Sequence, residues 1–482
     1  MTAFFRRILP KIFGRDILDL LNHSKNYFLT SAFAQGLVFL VMPLLTRILT
    51  PADYGTYQVF RSYAEVFAIL LTLNFHGAVS RYYYDAQPDL NEFIGASILG
   101  SHLVIAVAAL ILFFFPLQIA DFLKIPIALV WLLIGMTSVK IIDSVFNQLT
   151  IASKDSQRYS FVNNARAILS LSLGVGLALL MRQDKYYGLA FGQALGSLLV
   201  GGYIFTLIKE KIRWRVKREH FFFILGYSVP LVPYVVSTMF LDKLDRILIN
   251  KIVSASSAGL YSFAYNIGMV VSMVTDALNG AFVPDWFRLM REEKYEEINV
   301  ITLKTFRFVL LASVGALLFS YEVFALISSK EYHAALLIMP IIISGYLFDF
   351  LSKVYLRNLG LARRMLEASL LGIVTVALNF ALNVIFLPIY GYVAAAYSTL
   401  VSYAFLTALA WVTSKYILKH VVVPWRVFVA PLGYFSIALA AYYAIMGMQI
   451  ETLWKLILKA FVMALFGLAL FHSSKQSRVR AN

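Results

Sequence analysis

Three polar side chains recur at four-residue intervals in one long apolar stretch: Tyr57, Arg61 and Glu65. In an α-helix these side chains would form one stripe, and Arg61 could pair with Glu65. A charge at the centre of a bilayer costs roughly 2.5–3.5 kcal/mol on insertion scales, so such groups usually face protein or a water-filled cavity. The spacing fits a buried structural ion pair. It also fits a cation lining a cavity, with Glu65 holding Arg61 or exchanging a proton.

Further polar stripes lie inside other apolar segments at helical spacing: Lys140, Asp143 and Asn147; Asn163, Arg166 and Ser170; Tyr265, Ser272, Asp276 and Asn279; and Thr375, Asn379 and Asn383. Arg307 resembles Arg166 in lying near the end of a span, where a long basic side chain can reach the interface. Asp276 has no cation on its own helix, which predicts a partner on another helix or a protonated, ion-coupling carboxylate. Asp349 is a weaker coupling candidate. Inter-helix hydrogen bonding is the alternative role for these stripes.

The types of these residues suggest two groups of site residues. Arginine can bind phosphate bidentately, whereas Asn and Tyr suit hydroxyl groups, so a cationic passage fits an anionic, hydroxyl-rich substrate. The candidate substrate-binding residues are Arg61, Lys140, Arg166, Arg307, Tyr57, Tyr265, Asn279 and Asn379. The candidate coupling or ion-pair residues are Glu65, Asp143 and Asp276.

The elements that must position these residues are membrane-spanning helices. The chain has 482 residues, of which 60% are hydrophobic and only 14% charged. Its apolar blocks are long enough to cross a hydrocarbon core of about 30 Å as helices, and alternating ten-residue strands are absent. We therefore predict an all-α polytopic membrane protein with about 14 transmembrane helices. The predicted spans are 27–47, 57–80, 93–115, 126–149, 160–181, 188–208, 221–241, 259–284, 301–321, 336–356, 367–387, 392–414, 427–446 and 454–472.

The distribution of basic residues predicts the orientation of these spans. Lys and Arg concentrate in the segment 209–218, at Arg363 and Arg364, and in the C-terminal tail. Such a bias places these segments, and both termini, in the cytoplasm. Residues 1–26 read as a basic amphipathic segment on the cytoplasmic surface. The longest outside loop is expected around residues 242–258.

An internal repeat appears at an offset of about 203–204 residues. Gly55-Thr56-Tyr57 matches Gly259-Leu260-Tyr261, and Tyr187-Gly188 matches Tyr390-Gly391. Because the offset holds six spans, both copies enter the membrane in the same direction, which predicts two six-helix lobes related by a pseudo-two-fold axis along the membrane normal. The predicted domains are the N-terminal segment 1–26, an N-lobe 27–208, a basic cytoplasmic linker 209–220, a C-lobe 221–414, and residues 415–482 with two further helices and a cytoplasmic tail.

The sequence lacks the motifs of several enzyme classes. It has no G-x-x-x-x-G-K-[ST] loop, no His-Glu-x-x-His motif, no Gly-x-Ser-x-Gly elbow and no cysteine. We therefore expect a transporter rather than an enzyme, with no cofactor and no metal. The net charge of +16 is explained by topology, so nucleic-acid binding is not needed.

Two segments carry a resemblance to a known family. Lys25-Asn26-Tyr27 through Leu49-Thr50-Pro51-Ala52-Asp53-Tyr54-Gly55, and Leu241 to Ile249 through Ala258-Gly259-Leu260-Tyr261, resemble the O-antigen flippase (Wzx-type) polysaccharide biosynthesis proteins. These belong to the multidrug/oligosaccharidyl-lipid/polysaccharide exporter superfamily. The resemblance covers about residues 25–470. It implies alternating access, an undecaprenyl-pyrophosphate-linked oligosaccharide of an O-antigen, capsule or exopolysaccharide, and a location in the bacterial cytoplasmic (inner) membrane.

The resemblance also implies partners and site residues. Related flippases place an arginine in the second helix facing the cavity, where Arg61 stands; the repeat-related residue is Tyr265, a departure from their often basic counterpart. Expected partners are membrane lipids, H⁺ or Na⁺ as the coupling ion, and polysaccharide polymerase machinery. The alternatives are a small-molecule or multidrug exporter of the same superfamily, whose site should be net acidic, and a membrane glycosyltransferase or polymerase, which the short outside loops disfavour.

Overall fold

A computed structural model describes residues 15–85, 89–361, 364–417 and 422–479 of the chain. These ranges contain helices and no strand, as the composition predicts. The α-helices are α1 (Arg15–Ile48), α2 (Pro51–Leu70), α3 (Gly77–Tyr84), α4 (Leu90–Phe114), α5 (Pro116–Leu123), α6 (Ile127–Ala152), α7 (Ser156–Leu180), α8 (Tyr186–Ile208), α9 (Arg218–Ser228), α10 (Val232–Ile252), α11 (Ala255–Arg291), α12 (Tyr295–Leu318), α13 (Ser320–Ile327), α14 (Met339–Leu361), α15 (Met365–Tyr390), α16 (Tyr392–Tyr416), α17 (Arg426–Gly447) and α18 (Thr452–Val479). Short 3₁₀ helices cover Lys209–Lys211, Val229–Leu231 and Lys330–Ile338.

Twelve helices of the described chain are long and apolar enough to cross a membrane. A thirteenth span arises if α9 and α10 are taken together, since they pass the same test as a pair bent by 46°. The bend lies between Leu231 and Val235, beside Pro230 and Pro233, whose missing backbone N–H groups permit a kink. The chain is therefore a multi-pass membrane protein, and its span number agrees closely with the predicted 14.

The predicted second span, 57–80, is wrong in its limits. α2 begins earlier, at Pro51, and ends at Leu70; a turn follows, and α3 starts at Gly77. Leu73 and Asn74 have φ of 47° and 55°, a left-handed conformation that cannot continue a right-handed helix. Three of the six residues 71–76 are polar, Thr72, Asn74 and His76, so the sequence itself carried a signal of this break.

The predicted outside loop around 242–258 is also wrong. α10 continues to Ile252 and α11 begins at Ala255, so the connection is Val253 and Ser254. Charged residues in 242–251 suggested a loop, but they lie on a helix that packs along α2. Their charges are accommodated by partners described below.

The helix boundaries repeat at an offset of 204 residues. α1 ends at Ile48 and α2 begins at Pro51; α10 ends at Ile252 and α11 begins at Ala255. The agreement in both positions supports the internal repeat inferred from short sequence matches.

The two repeat copies touch at their matched glycines. A Cβ atom built on Gly55 would lie 1.8 Å from the carbonyl oxygen of Ala255, and one on Gly259 would lie 1.9 Å from the carbonyl oxygen of Pro51. Each contact becomes the other when the copies are exchanged, which is the property of a two-fold contact. Only glycine allows the two backbones to approach this closely.

The described chain forms two compact units. The first unit comprises Leu18–Ser262 and Gly372–Ala395, and the second comprises Phe263–Leu371 and the chain from Ala396. Buried aromatic residues fill both: Phe75 and Phe93 lie in the core of the first, and Phe306 stacks on Phe350 in the second. The proposed lobes and their boundaries remain predictions. Of the predicted N-terminal segment, residues 15–26 are helical in α1, and residues 1–14 lie outside the described ranges.

Candidate functional site: two clusters of charged residues

The position of the α2 stripe is set by the start of its helix. Thr50 caps α2: its hydroxyl accepts a hydrogen bond from the Asp53 N–H at 3.1 Å, and the Asp53 carboxylate accepts one from the Thr50 N–H at 3.3 Å. Pro51 follows at the first helical position, where its missing N–H costs nothing. This capping box explains the Thr-Pro-x-Asp turn at the start of the helix that carries Arg61.

Tyr57 and Glu65 of this stripe contact other helices, and the predicted pair between Arg61 and Glu65 on one helix is not formed. The Glu65 carboxylate lies 3.1 Å from the Lys243 ammonium of α10, not in a salt bridge with Arg61. The Tyr57 hydroxyl donates to the Gln193 side-chain oxygen of α8 at 3.0 Å. Arg61 is half-buried and forms no salt bridge or side-chain hydrogen bond with the residues that the structure describes. Its guanidinium donors are therefore not used up by a neighbouring carboxylate.

The stripes on α6 and α7 meet each other. Arg166 lies 2.8 Å from the Asp143 carboxylate and donates to the Asn163 side-chain oxygen at 3.0 Å. The Asn163 amide in turn donates to the Asn147 side-chain oxygen at 2.9 Å. Arg166 is thus held inside the helix bundle rather than extended to the interface. The inter-helix clamp considered for these residues is present.

Two more cations join these pairs. Lys140 lies within electrostatic range of Arg166, Asp143 and Glu65, and Arg246 lies within range of Lys243 and Glu65. We call the resulting group the cationic cluster: Arg61, Glu65, Lys140, Asp143, Arg166, Lys243 and Arg246. Asp242 also lies within range of Lys243, so five basic side chains stand against three carboxylates in and beside this cluster. Lys140 is the exposed member of the cluster.

A buried polar chain joins α10, α11 and α15 in the same unit. The Asn383 amide donates to Asp245 at 2.8 Å and to the Asn379 side-chain oxygen at 3.1 Å, and the Tyr261 hydroxyl also donates to Asp245. Asn379 and Asn383 are fully buried. These bonds match the inter-helix hydrogen bonding considered for the 375–383 stripe.

The second unit holds a different arrangement, which we call the lysine-bridged cluster: Asp276, Asn279, Asp349, Lys353 and Arg357. The Lys353 ammonium lies 3.3 Å from Asp276 and 2.8 Å from Asp349. Arg357 donates to the Asn279 side-chain oxygen at 2.9 Å. Asp276 therefore has a cation on another helix, one of the two arrangements predicted for it, and the cluster is balanced in charge.

Two predicted site residues lie apart from these groups of contacts. Tyr265 packs its ring against Tyr346 at 5.7 Å, and Arg307 is buried in α12 near Tyr434. Arg307 is thus placed in the second unit and not in the cationic cluster.

The sequence analysis missed four charged participants: Lys243, Arg246, Lys353 and Arg357. The first two were assigned to a loop. Asp349, Lys353 and Arg357 follow one another at four-residue intervals, a helical stripe that the same spacing argument would have found.

The sequence and fold were compared with known proteins. A family model described as polysaccharide biosynthesis protein matches residues 25–290. "Lsg locus putative protein 1" of Haemophilus influenzae is 24% identical over 290 residues, covering 57% of this chain and 67% of that protein. "Probable low-salt glycan biosynthesis flippase Agl15" of Haloferax volcanii is 23% identical over 414 residues, covering 81% of this chain and 83% of that protein.

Two solved structures show the same fold. The lipid II flippase MurJ in an inward closed conformation superposes with a TM-score of 0.74 at 15% identity, covering 94% of this chain and 99% of that one. An inward-facing multidrug resistance MATE family transporter of the MOP superfamily gives 0.61 at 12% identity, covering 80% of this chain and 94% of that one. The matched family model spans more than half of the sequence, so the chain belongs to the polysaccharide biosynthesis protein family.

Proposed function

We propose that this chain is a flippase that moves a lipid-linked oligosaccharide, carried on undecaprenyl pyrophosphate, from the cytoplasmic to the periplasmic leaflet of the inner membrane. The observation that carries the proposal is the cationic cluster, in which Arg61 has no carboxylate salt bridge within the described chain. Membership of the polysaccharide biosynthesis family and the similarity to a protein named as a glycan flippase support the same substrate class.

The physical problem for such a substrate is its polar head. Moving one unpaired hydroxyl into hydrocarbon costs about 4–8 kcal/mol, so several sugars make spontaneous transfer negligible. Phosphate oxygens need cations that are not already neutralised. Arg61 would supply such a cation, while Asn and Tyr side chains would replace water at the hydroxyl groups.

Alternating access supplies a route for the head group. Under the orientation inferred from basic residues, the α1–α2 and α10–α11 turns face the periplasm. The Gly55–Gly259 contact joins the two repeat copies near these turns, and the Glu65–Lys243 pair joins them deeper in the helices. We infer that both must separate when the passage opens to the periplasm, with the lobes 27–208 and 221–414 moving apart.

Energy would come from an ion gradient. In the lysine-bridged cluster, Lys353 neutralises Asp276 and Asp349 together. A proton or Na⁺ that neutralised one of these carboxylates would release Lys353 from it, which changes the contacts between α11 and α14. We infer that these carboxylates are the coupling groups.

The fold shared with a multidrug transporter makes a small-molecule exporter the second candidate. A site for cationic drugs needs an excess of acidic groups, whereas basic side chains outnumber carboxylates in and beside the cationic cluster. If expression of the chain raised resistance to cationic dyes while oligosaccharide sidedness stayed unchanged, the exporter would be the better assignment.

The direct test measures the sidedness of the lipid-linked oligosaccharide. Spheroplasts are treated with periodate, which does not enter them and which cleaves vicinal diols of the sugars. In cells lacking this protein, we expect the oligosaccharide to be protected until the membrane is permeabilised, and the wild-type gene should restore outside cleavage. Arg61→Ala, expressed at the wild-type level, should leave the sugar protected. Equal cleavage with and without the protein would refute the assignment.

A further inference from the structure

The segment between α8 and α9, residues 209–217, is fastened across the start of α4; we call it the strap. The Arg213 N–H donates to the Asn91 carbonyl at 3.0 Å. A Cβ atom built on Gly95 would lie 2.1 Å from the Arg213 carbonyl oxygen, so this glycine lets the strap lie directly on α4. Ile212 is buried beneath it. The middle of the strap therefore has a defined backbone position.

The end of the strap is fastened by charge. The Lys217 ammonium lies 2.7 Å from Asp89 and 2.8 Å from Glu92, and the His220 ring nitrogen lies 2.7 Å from Asp89. The hydrogen bond from Lys217 is the largest cause that holds the pKa of Asp89 below its ordinary value, and the same contact raises the pKa of Lys217. Asp89, Glu92 and His220 are close enough together to ligate a cation, but the Lys217 ammonium already lies between the two carboxylates.

These attachments leave a basic surface with exposed apolar side chains among the charges. The exposed basic residues at and beside the strap are Lys209, Lys211, Arg213, Arg215 and Arg218. Glu210 and Glu219 only partly offset them. Trp214 is 57% exposed and Val216 54% exposed, although both are apolar. Arg218 lies over the ring of Phe222, which is itself exposed. Neither the flippase proposal nor the helix packing uses this surface.

The strap lies at the level where a membrane span ends, because the span that contains α8 runs to Lys211 and α9 begins at Arg218. Tryptophan and arginine together suit this level, since an amphipathic ring sits among headgroups and a guanidinium binds their phosphates. We propose that the strap binds the headgroups of anionic phospholipids in the leaflet that it faces. The charge of the surface is complementary to such lipids, and its apolar residues have hydrocarbon beside them; an acidic soluble protein would meet only the charges.

The test uses the full-length protein purified in detergent and titrated with palmitoyl-oleoyl phosphatidylglycerol or the matched phosphatidylcholine. Native mass spectrometry reports the lipid retained. We expect the wild type to retain more phosphatidylglycerol, with a preference that weakens as salt rises. Arg213→Gln and Arg215→Gln should each lower the apparent affinity for phosphatidylglycerol by about fivefold. Trp214→Ala should weaken the binding of both lipids.

A matched control removes basic charges elsewhere. Arg182→Gln and Lys185→Gln lie in the turn between α7 and α8, at the other end of α8, and should leave the lipid preference unchanged. Thermal unfolding shows whether each variant is folded; the strap variants alter exposed side chains and should match the wild type. Two results would overturn the proposal. One is equal retention of the two lipids by the wild type. The other is full retention of phosphatidylglycerol by a folded double variant that carries both Arg213→Gln and Arg215→Gln.

Discussion

The cationic cluster and the lysine-bridged cluster solve the problem of charges within membrane helices in different ways. In the first, five basic side chains outnumber three carboxylates, and Arg61 has no salt bridge among the described residues. In the second, one lysine bridges two carboxylates, and the charges balance. A cluster with an excess of positive charge needs an anion from outside the cluster to compensate it. A cluster whose charges balance needs none. The first arrangement is therefore suited to an anionic ligand, and the second to an exchange of protons or cations.

The repeat makes this difference informative. The backbone contact at Gly55 and Gly259 is symmetric, yet the side chains one to two turns further along have diverged: Arg61 in the first copy corresponds to Tyr265 in the second. The helices diverge as well, since α2 stops at Leu70 whereas α11 continues to Arg291. Both copies keep the close backbone packing at their glycines, whereas the charged side chains differ between the copies.

The largest expected effect tests the symmetric part of the comparison. Gly55→Ala should destabilise the protein by at least about 4 kcal/mol and abolish export, because the added methyl meets backbone atoms that cannot turn away. Gly259→Ala should act equally, because its contact is the same one seen from the other copy. Thermal unfolding in detergent and the periodate assay measure both effects.

The control for the glycine variants is Gly36→Ala in α1, where a Cβ atom meets nothing within 4 Å. Alanine at this position should be neutral or stabilise the helix by up to about 1 kcal/mol. If Gly55→Ala and Gly259→Ala differ strongly from each other, the two-fold contact is not the reason for either effect.

The next effect concerns the buried pair of the cationic cluster. Arg166→Met should lower the free energy of unfolding by about 3 kcal/mol, because Asp143, whose side chain is only 2% exposed, loses its closest cation. Adding Asp143→Leu should restore most of that stability, since no buried charge is then left without a partner. Denaturation of the single and double variants in detergent measures this recovery. A double variant as unstable as the single one would show that the pair is not the source of the loss.

Substitutions of Arg61 are expected to change export much more than stability. Arg61→Ala should reduce export about 10- to 100-fold, the value of one or two hydrogen bonds to a charged group, while unfolding changes by less than about 0.5 kcal/mol. Arg61→Lys should recover part of the export, because the charge remains but the planar fork is lost. Tyr265→Ala, at the repeat-related position, should reduce export less. A larger loss from Tyr265→Ala would place substrate recognition in the other copy.

Much of the fold could be predicted from the sequence because the membrane imposes simple rules. Long apolar segments must be helices, and this was enough to locate twelve of the fourteen proposed spans close to helices of the described chain; the exceptions are 57–80 and 221–241. The break at 71–76 was not predicted, although three of its six residues are polar; the left-handed Leu73 and Asn74 prevent one continuous helix from Leu70 to Gly77. Composition reports burial in lipid and says little about backbone conformation.

Only part of each charged cluster could be predicted from the sequence, for a related reason. Spacing along one helix revealed the carboxylates Glu65, Asp143 and Asp276, but their cationic partners lie on other helices. Lys243 was hidden because a charged end of α10 has the composition of a loop, and its pairing with Glu65 depends on how α2 and α10 pack. Pairing across helices follows from tertiary structure, which no one-dimensional pattern contains.

The smallest change in unfolding free energy is expected in the lysine-bridged cluster. Its size shows whether the balanced charges of this cluster stabilise the fold. The side chains of Lys353 and Asp276 are 37% and 58% exposed, so solvent screens their attraction. Lys353→Met should therefore cost about 1 kcal/mol of unfolding free energy, and the two carboxylates can relieve their repulsion by binding a proton. Lys459→Met is the matched control, because Lys459 is 1% exposed and lies 2.8 Å from Glu322; its loss should cost about 3 kcal/mol. If Lys353→Met were as destabilising as Lys459→Met, the lysine bridge would be a structural clamp, and the division of chemistry between the two clusters would have to be abandoned.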